Sequence, residues 1–470
     1  MTNNHQDIVL LNKNTRSLRC CFILLALALA VCSKNLRADT VDDWLLLKMA
    51  ELKIPGLQIA VVNHNKLVKT ANYGIANMQD SVAVDDNTLF TINSMTKGFT
   101  GIAIMQLVEQ GKLQLTHKIS QYLAELPEQW RDITVKQLLT HTSGLPDIMG
   151  DGLYIISNKD AQAAWDKVQQ QPLEFKANSQ FKYNQTNYLL LGNIITAVSG
   201  RPFSDFIIQN QLDKVGMPKT AAAGFAHFQD VIPHQARAYT YDITGSLSTV
   251  YAEFPPYLRA SAGMSSNAIE LARWVRALQN NQLFKHASSL ATLWSPAILD
   301  NGHTAGFSRL LNGYALGWQV IDRPSHPAVA LVGGNRAALA VYPQDQLTIV
   351  IITNLMGASP ETFIDEIAAF YLDDMHSING ISLKPNILAD YVGNYAFANF
   401  SISVSRETSG LSMLASGAGQ EKFTIYATSD SHFFAKLIDA TFEFQRDNKG
   451  AVNQLVMRQG ANTLLAQKVN

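Results

Sequence analysis

Two stretches of the chain place a lysine three residues after a serine: Ser94-Met95-Thr96-Lys97 and Ser179-Gln180-Phe181-Lys182. On a helix, residues three apart share a face, so the lysine amine can reach the serine hydroxyl. An amine that is partly neutral near pH 7 takes the serine proton and leaves a competent nucleophile. The pattern alone is weak, since a chain of 470 residues is expected to hold about one by chance. Context separates the two. Ser94 opens a run with apolar residues at helical spacing (Phe99, Ile102, Met105, Leu107, Val108), and Gly111 stands where a helix C-terminal cap belongs. Ser179 lies in a polar, irregular stretch with no helix after it. The setting predicts Ser94 as nucleophile and Lys97 as its base, because a helix N-terminus and burial both disfavour an ammonium. The competing reading of Ser94 is a helix-capping serine beside a chance lysine.

Two further stretches fit the same chemistry. Tyr183-Asn184-Gln185 offers a phenol that can act as phenolate or relay a proton. A lone tyrosine is more often packing. Leu331-Val332-Gly333-Gly334 is expected on a strand, where glycines mark a close approach of backbone to something else. An exposed strand N–H there, paired with that of Ser94, would form an oxyanion hole, an arrangement worth a few kcal/mol. No His, Cys or carboxylate cluster has metal-ligand spacing, so metal-dependent hydrolysis is not expected and no cofactor is implied.

These residues need a scaffold. Gly56 to Val62 and Leu67 to Thr70, joined by Asn63-His64-Asn65, read as an antiparallel hairpin. Helical spacing recurs from Ala268 to Leu278. Strands are expected at Ala328 to Val332, Ala337 to Tyr342 and Leu347 to Thr353, and a helix at Thr362 to Asp373. Gly98 and Gly101 cost helix stability unless something packs closely on them, which suits a helix threaded through a domain centre. Residues 375–386 read as a linker. Beyond them come short strands with close turn signals: Tyr391 to Phe397, Phe400 to Val404, Leu411 to Leu414, Phe433 to Leu437, Phe442 to Gln445 and Leu455 to Arg458. The fold class is α+β, an antiparallel sheet drawn from both ends of the first domain (39–374) with a helical insertion, followed by a small all-β domain (387–470).

Serine, tyrosine and strand glycine, in this order and at these separations, resemble the serine β-lactamase and penicillin-binding-protein superfamily, with class C β-lactamases, DD-peptidases and β-lactamase-fold esterases nearest. The intervening blocks read the same way: Gln106 to Leu113, Leu138-Leu139-Thr140-His141-Thr142-Ser143-Gly144-Leu145-Pro146, Ser261 to Ser266 and Tyr314-Ala315-Leu316-Gly317-Trp318. The C-terminal module, with Tyr391-Val392-Gly393-Asn394-Tyr395, is similar to the lipocalin-like domain appended to many such hydrolases. The resemblance implies acylation of Ser94, deprotonation by Lys97, Tyr183 as second acid/base, and an oxyanion hole from the Ser94 and Gly334 amides. It also implies substrate binding along Gln185 and Gly333. Two positions depart from it. Gln185 stands where many relatives have asparagine. Leu331 stands where β-lactamases carry lysine and many peptidases or esterases histidine, the cation that holds a substrate carboxylate. Arg336 could replace that cation, although a surface arginine is the more ordinary reading, and His326 is a weaker candidate. His141 is expected to be structural and hydrogen-bonded. These departures place esterase or peptidase activity ahead of β-lactam hydrolysis. The alternative is a non-catalytic cell-wall or ligand-binding protein on the same fold.

Arg16 and Arg19 precede an apolar run from Cys20 to Cys32, too short to span a bilayer, so residues 1–38 are expected to be a signal peptide and the protein exported, to the periplasm. Leu29-Ala30-Val31-Cys32 resembles a lipoprotein box, but bulky Val31 counts against lipidation of Cys32. All three cysteines lie in this leader, which leaves the body without a disulfide. Charged residues make up 16% of the chain and the net charge is −1, which offers no footprint for nucleic acid or anionic lipid. A small-molecule or cell-wall-derived substrate fits better. No transmembrane span is expected once the leader is removed.

Overall fold

The computed structural model describes residues 40–470 apart from 150–160, 227–229, 243–244, 251–253, 309, 373–374, 376–382, 399, 408–409, 417–422, 436–439, 460–461 and 470. The expected leader, its three cysteines and most of the expected linker lie outside the described residues. The N-terminal unit, which ends at Glu51, contributes helix α1 (Val41–Leu52), whose first turn is capped by Thr40 Oγ1 accepting from the Asp43 N–H at 3.2 Å.

In the remaining unit the expected hairpin forms as β1 (Gly56–Asn63) and β2 (Lys66–Asn77), and β3 (Val82–Ala83) extends its edge. β4 (Phe90–Asn93) leads directly into the turn that carries Ser94, and then into α2 (Thr96–Glu109). α3 (Gln185–Ser199) follows Tyr183, and α4 is Ala268–Gln279. β5 (Ala238–Tyr241) and β6 (Leu247–Val250) form a separate hairpin, while β7 (Met264–Ser266) pairs with β4 across a register shift between Thr91 and Asn93. Strands β8 (Gly313–Tyr314), β9 (Gln319–Ile321), β10 (Ala328–Gly333), β11 (Ala337–Tyr342) and β12 (Leu347–Thr353) return to the first hairpin. The sheet order is β3-β2-β1-β12-β11-β10-β9-β8, with β1 antiparallel to β12 in the register Leu57 to Thr353 through Asn63 to Leu347. Both ends of the domain therefore meet in one sheet.

Helix α2 is buried from Thr96 to Leu107, as a helix apolar on all faces must be. Its glycines have the expected reason: a Cβ on Gly98 would stand 2.6 Å from Leu331 Cδ1, and one on Gly101 would strike the Leu316 carbonyl. Gly111 ends the helix at φ +69. The helix expected at Thr362 to Asp373 is shorter, Ile364–Ala368 behind a 3₁₀ turn at Pro360–Thr362, and Asp373 lies outside the described residues. Pro360 presets that first turn and supplies no N–H to an α-helix.

The C-terminal domain is a closed antiparallel barrel. Its strands are β13 (Gly393–Ala396), β14 (Ser401–Glu407), β15 (Gly410–Ala415), β16 (Phe423–Ala427), β17 (His432–Ala435), β18 (Ala440–Arg446), β19 (Val452–Gln459) and β20 (Asn462–Val469). β13 pairs with β20 to close it. Closure removes both exposed edges. Its interior is filled by side chains such as Tyr395, Phe433, Phe442, Phe444 and Leu455. Two of its strands, β16 and β20, escaped the sequence reading. Tyr391, expected to begin a strand, instead ends a short helix, α5 (Pro385–Tyr391), which also takes in the last residues of the expected linker. Pro385 at the first helical position fixes φ for a helix, and Tyr391 stacks on Phe444 with ring centroids 4.4 Å apart.

Candidate active site

Ser94 sits in a turn between β4 and α2, half-buried, and the Lys97 N–H donates to its carbonyl at 3.0 Å. The Lys97 side chain runs into the interior at 1% exposure. Its Nζ donates to Gln185 Oε1 at 2.9 Å and to the Ser261 carbonyl at 2.8 Å. It also lies over the Tyr183 and Tyr188 rings, 4.5 and 5.1 Å from their centroids. Burial lowers its pKa well below the ordinary lysine value; nearby Asp147 pulls the other way without overcoming the desolvation. A neutral amine has two N–H donors and one lone pair. Both donors of such an amine are engaged here, at Gln185 and Ser261.

The Tyr183 ring lies under Lys97 Nζ, and the Ser94 and Gln185 side chains draw its pKa down. Desolvation outweighs both and pushes the phenol well above its usual value, so Tyr183 is a phenol rather than a phenolate at neutral pH. Local structure sets its position. Asn184 caps α3 by accepting from the Asn187 N–H at 3.1 Å, while its own amide donates to the Leu145 carbonyl at 2.6 Å. Tyr183 and Gln185 flank this clamp. The extra methylene of Gln185 does not break the contact with Lys97.

Gly333 ends β10, and Gly334 lies just beyond it in an exposed turn at φ +56 rather than on the strand. A Cβ on Gly333 would collide with the Ile92 carbonyl, and one on Gly334 with the Asn93 amide. The glycines thus let the end of β10 close on the end of β4, beside Ser94. The Ser94 and Gly334 amides donate to no described residue, which suits a pair reserved for an oxyanion.

The other candidates divide. Leu331 is 1% exposed and packs on Gly98, so no cation stands at that position. Arg336 is no surface residue: it is 3% exposed, and its guanidinium reaches the Asn93 side chain at the end of β4. His326 belongs to the opposite end of β10, where it pairs with Asp345 at 3.0 Å. His141 is buried and neutral, its pKa lowered by burial and by Lys97. Its Nδ1 accepts from the Asn184 N–H at 3.2 Å, which places the proton on Nε2, among the Phe181, Tyr183, Tyr188 and Tyr314 rings. It is structural, as expected. Ser179 bonds its own turn at the Lys176 carbonyl, and Lys182 pairs with Glu174 at 2.7 Å.

Sequence reasoning missed three participants. Asp147, one residue past the Leu138 to Pro146 block, accepts from the Gln185 and Met149 amides, each at 3.1 Å. The Ser261 carbonyl and Asn93 complete the set; a carbonyl has no residue signature, but Asn93 borders the nucleophile and could have been flagged. Among the described residues no group of three His, Cys or carboxylate side chains is placed to hold a metal ion, and no helix is long and apolar enough to cross a membrane.

A sequence model described as Beta-lactamase matches residues 41–372. A penicillin-binding protein of Bacillus subtilis (strain 168) is 24% identical over 425 residues, covering 83% of this chain and 90% of that one. Among solved structures, an octameric penicillin-binding protein homologue from Pyrococcus abyssi is similar with a TM-score of 0.66 at 20% identity, over 90% of this chain and 98% of that one. A D-amino acid amidase from Ochrobactrum anthropi SV3 is similar with a TM-score of 0.54 at 21% identity, over 65% of this chain and 88% of that one. These likenesses establish an α+β β-lactamase fold followed by an eight-stranded antiparallel barrel.

Proposed function

The chain belongs to the β-lactamase family, and from that premise we propose a serine hydrolase that works through an acyl-enzyme on Ser94 and cleaves an ester, an amide or a D-amino-acid peptide bond. One observation carries the reading. Lys97 Nζ is buried, depressed in pKa and bonded to two acceptors, one helical turn from Ser94 and 4.5 Å from the Tyr183 ring centroid.

In the first half-reaction Lys97 takes the Ser94 proton as Oγ attacks the carbonyl carbon. The carbonyl oxygen gathers negative charge facing the Ser94 and Gly334 amides. Collapse expels the leaving group, which takes a proton from the Tyr183 hydroxyl, and the phenol is restored from the Lys97 ammonium. In the second half-reaction water attacks the acyl carbon, its proton passes to the same Lys97–Tyr183 pair, and Ser94 leaves protonated. Proton transfer of this kind contributes roughly 10² to 10⁴ in rate.

Esters and peptides rank ahead of β-lactams because Leu331 supplies no cation and Arg336 is buried with its guanidinium on Asn93. A carboxylate in a site closed from water without a partner costs several kcal/mol. The similarity to a D-amino acid amidase supports an amide or peptide within this range. Export to the periplasm on residues 1–38 belongs to the same proposal.

The test is intact-mass spectrometry with a fluorophosphonate, followed by turnover of a short-chain p-nitrophenyl ester against nitrocefin. The expected result is one adduct on Ser94 and faster ester hydrolysis. Absence of the adduct sinks the acyl-enzyme. Nitrocefin turnover with kcat/KM above roughly 10⁵ M⁻¹s⁻¹ sinks the substrate ranking.

A further inference from the structure

Arg336 is a buried cation. At 3% exposure it has no carboxylate partner among the described residues, and desolvation pushes its pKa down to about 10. Burying an unpaired guanidinium is costly, so what it touches is informative. Its Nε and Nη2 both reach the Asn93 side-chain oxygen, at 2.8 and 3.2 Å, in the amide orientation that satisfies both groups.

Asn93 immediately precedes Ser94 and holds φ at +45, a left-handed conformation that asparagine tolerates better than most residues. Its carbonyl accepts from Thr96 Oγ1 at 2.6 Å, which ties the nucleophile turn to the first turn of α2. Its amide tip occupies the space that a Cβ on Gly334 would need. One side chain therefore lies between Arg336 and Gly334.

The Arg336 backbone serves the same turn. Its N–H closes Gly333 to Arg336 by donating to the Gly333 carbonyl at 3.2 Å, and its carbonyl accepts from the Thr353 N–H at 2.8 Å and Thr353 Oγ1 at 3.1 Å on β12. The turn bearing Gly334 is thus closed and anchored on β12 by the Arg336 backbone, and braced on β4 by its guanidinium.

We propose that Arg336 is a positioning residue of the oxyanion hole: through Asn93 it fixes the Ser94 and Gly334 amides relative to one another, and it leaves an unneutralised positive charge behind them. It does not bind a substrate carboxylate. The proposal rests on Ser94 being the acylated residue. Its two parts act on the same developing oxyanion, where preorganised donors matter most.

The experiment compares wild type, Arg336→Met, Arg336→Lys, Asn93→Gly and the Arg336→Met/Asn93→Gly double variant. Two p-nitrophenyl esters are used, one with a neutral acyl chain and one whose acyl chain ends in a carboxylate. Arg336→Met should lower kcat roughly 10- to 100-fold on both esters, with KM within about threefold. Arg336→Lys, which keeps the charge and loses the fork, should recover part of it. The double variant should be no worse than the poorer single one, because the two residues act as one unit. A loss confined to the anionic ester or to KM, a fully additive double variant, or wild-type kcat in Arg336→Met overturns the proposal. If Arg336→Met does not unfold cooperatively, Arg336→Lys and Asn93→Gly decide by the same criteria. Failure of the fluorophosphonate to label Ser94 in the wild type removes the acyl-enzyme reading and this proposal together. Labelling with unchanged variants removes this proposal alone.

Discussion

Ser94 to Lys97 and Ser179 to Lys182 present the same four-residue pattern in two regions of one molecule. In the first, the lysine is enclosed at 1% exposure, with its N–H groups spent on an amide and a carbonyl, and it has lost much of its affinity for a proton. In the second, the lysine is half exposed and pairs with Glu174, while the serine hydroxyl bonds a carbonyl of its own turn. A surface ion pair of this sort contributes about 0–1 kcal/mol to stability. The serine and lysine are shared and their surroundings are not. On the proposed reading, what makes Lys97 a base is the removal of water around the amine without the supply of a carboxylate bonded to it.

The sharpest way to break this comparison is to delete each serine. Ser94→Ala should abolish fluorophosphonate labelling and lower ester turnover by roughly 10³-fold or more, as loss of a catalytic nucleophile does. Ser179→Ala should keep both, and label found on the Ser94 variant would put the nucleophile elsewhere. The lysines come next. Lys97→Met should cost roughly 10² to 10⁴ in kcat with a normal circular-dichroism spectrum, and Lys182→Met should stay within about twofold. Equal losses in the two would mean that burial is not the deciding factor.

The smallest expected effect concerns stability and pH. Burial lowers the proton affinity of Lys97 in the native state, whereas the unfolded chain binds that proton up to the ordinary lysine value of 10.5. Between the depressed native value and 10.5 the unfolded state binds more protons, so stability rises with pH, by up to about 1.4 kcal/mol per unit from this one group. Lys97→Met deletes that slope. Its gain in Tm over wild type should be largest at the acid end and shrink as pH approaches 10, while Lys182→Met should show no such trend. A Tm difference that does not change with pH would mean that Lys97 stays protonated.

Legibility followed the range of the interactions. The hairpin from Gly56, the helix after Ser94 and the three strands from Ala328 to Thr353 carry periodic apolar patterns, and all formed where the sequence placed them. The barrel was read as all-β from its turn signals. Strands β16 and β20 were missed, and Tyr391 turned out to be helical because Pro385 favours a first helical turn and Phe444 rewards the stacked ring. In the site, the roles of Gly98, Gly101 and His141 could be read from residue type. Asp147 and the Ser261 carbonyl could not, since their value lies in being near Lys97 in space.

The sequence by itself determined the order of chemical parts: serine and lysine one helical turn apart, a tyrosine before a capped helix, and a glycine pair closing a strand. Those are local facts, set by residue type and by the fixed periods of helix and strand. Tertiary structure alone decided which groups are dry. It put Leu331 into the core against Gly98, set Lys97 between two aromatic rings, and enclosed Arg336 against Asn93 rather than leaving it at the surface. Burial depends on contacts between residues far apart in the chain. The protonation of Lys97 and the partner of Arg336 are consequences of burial, and no short stretch of sequence encodes them.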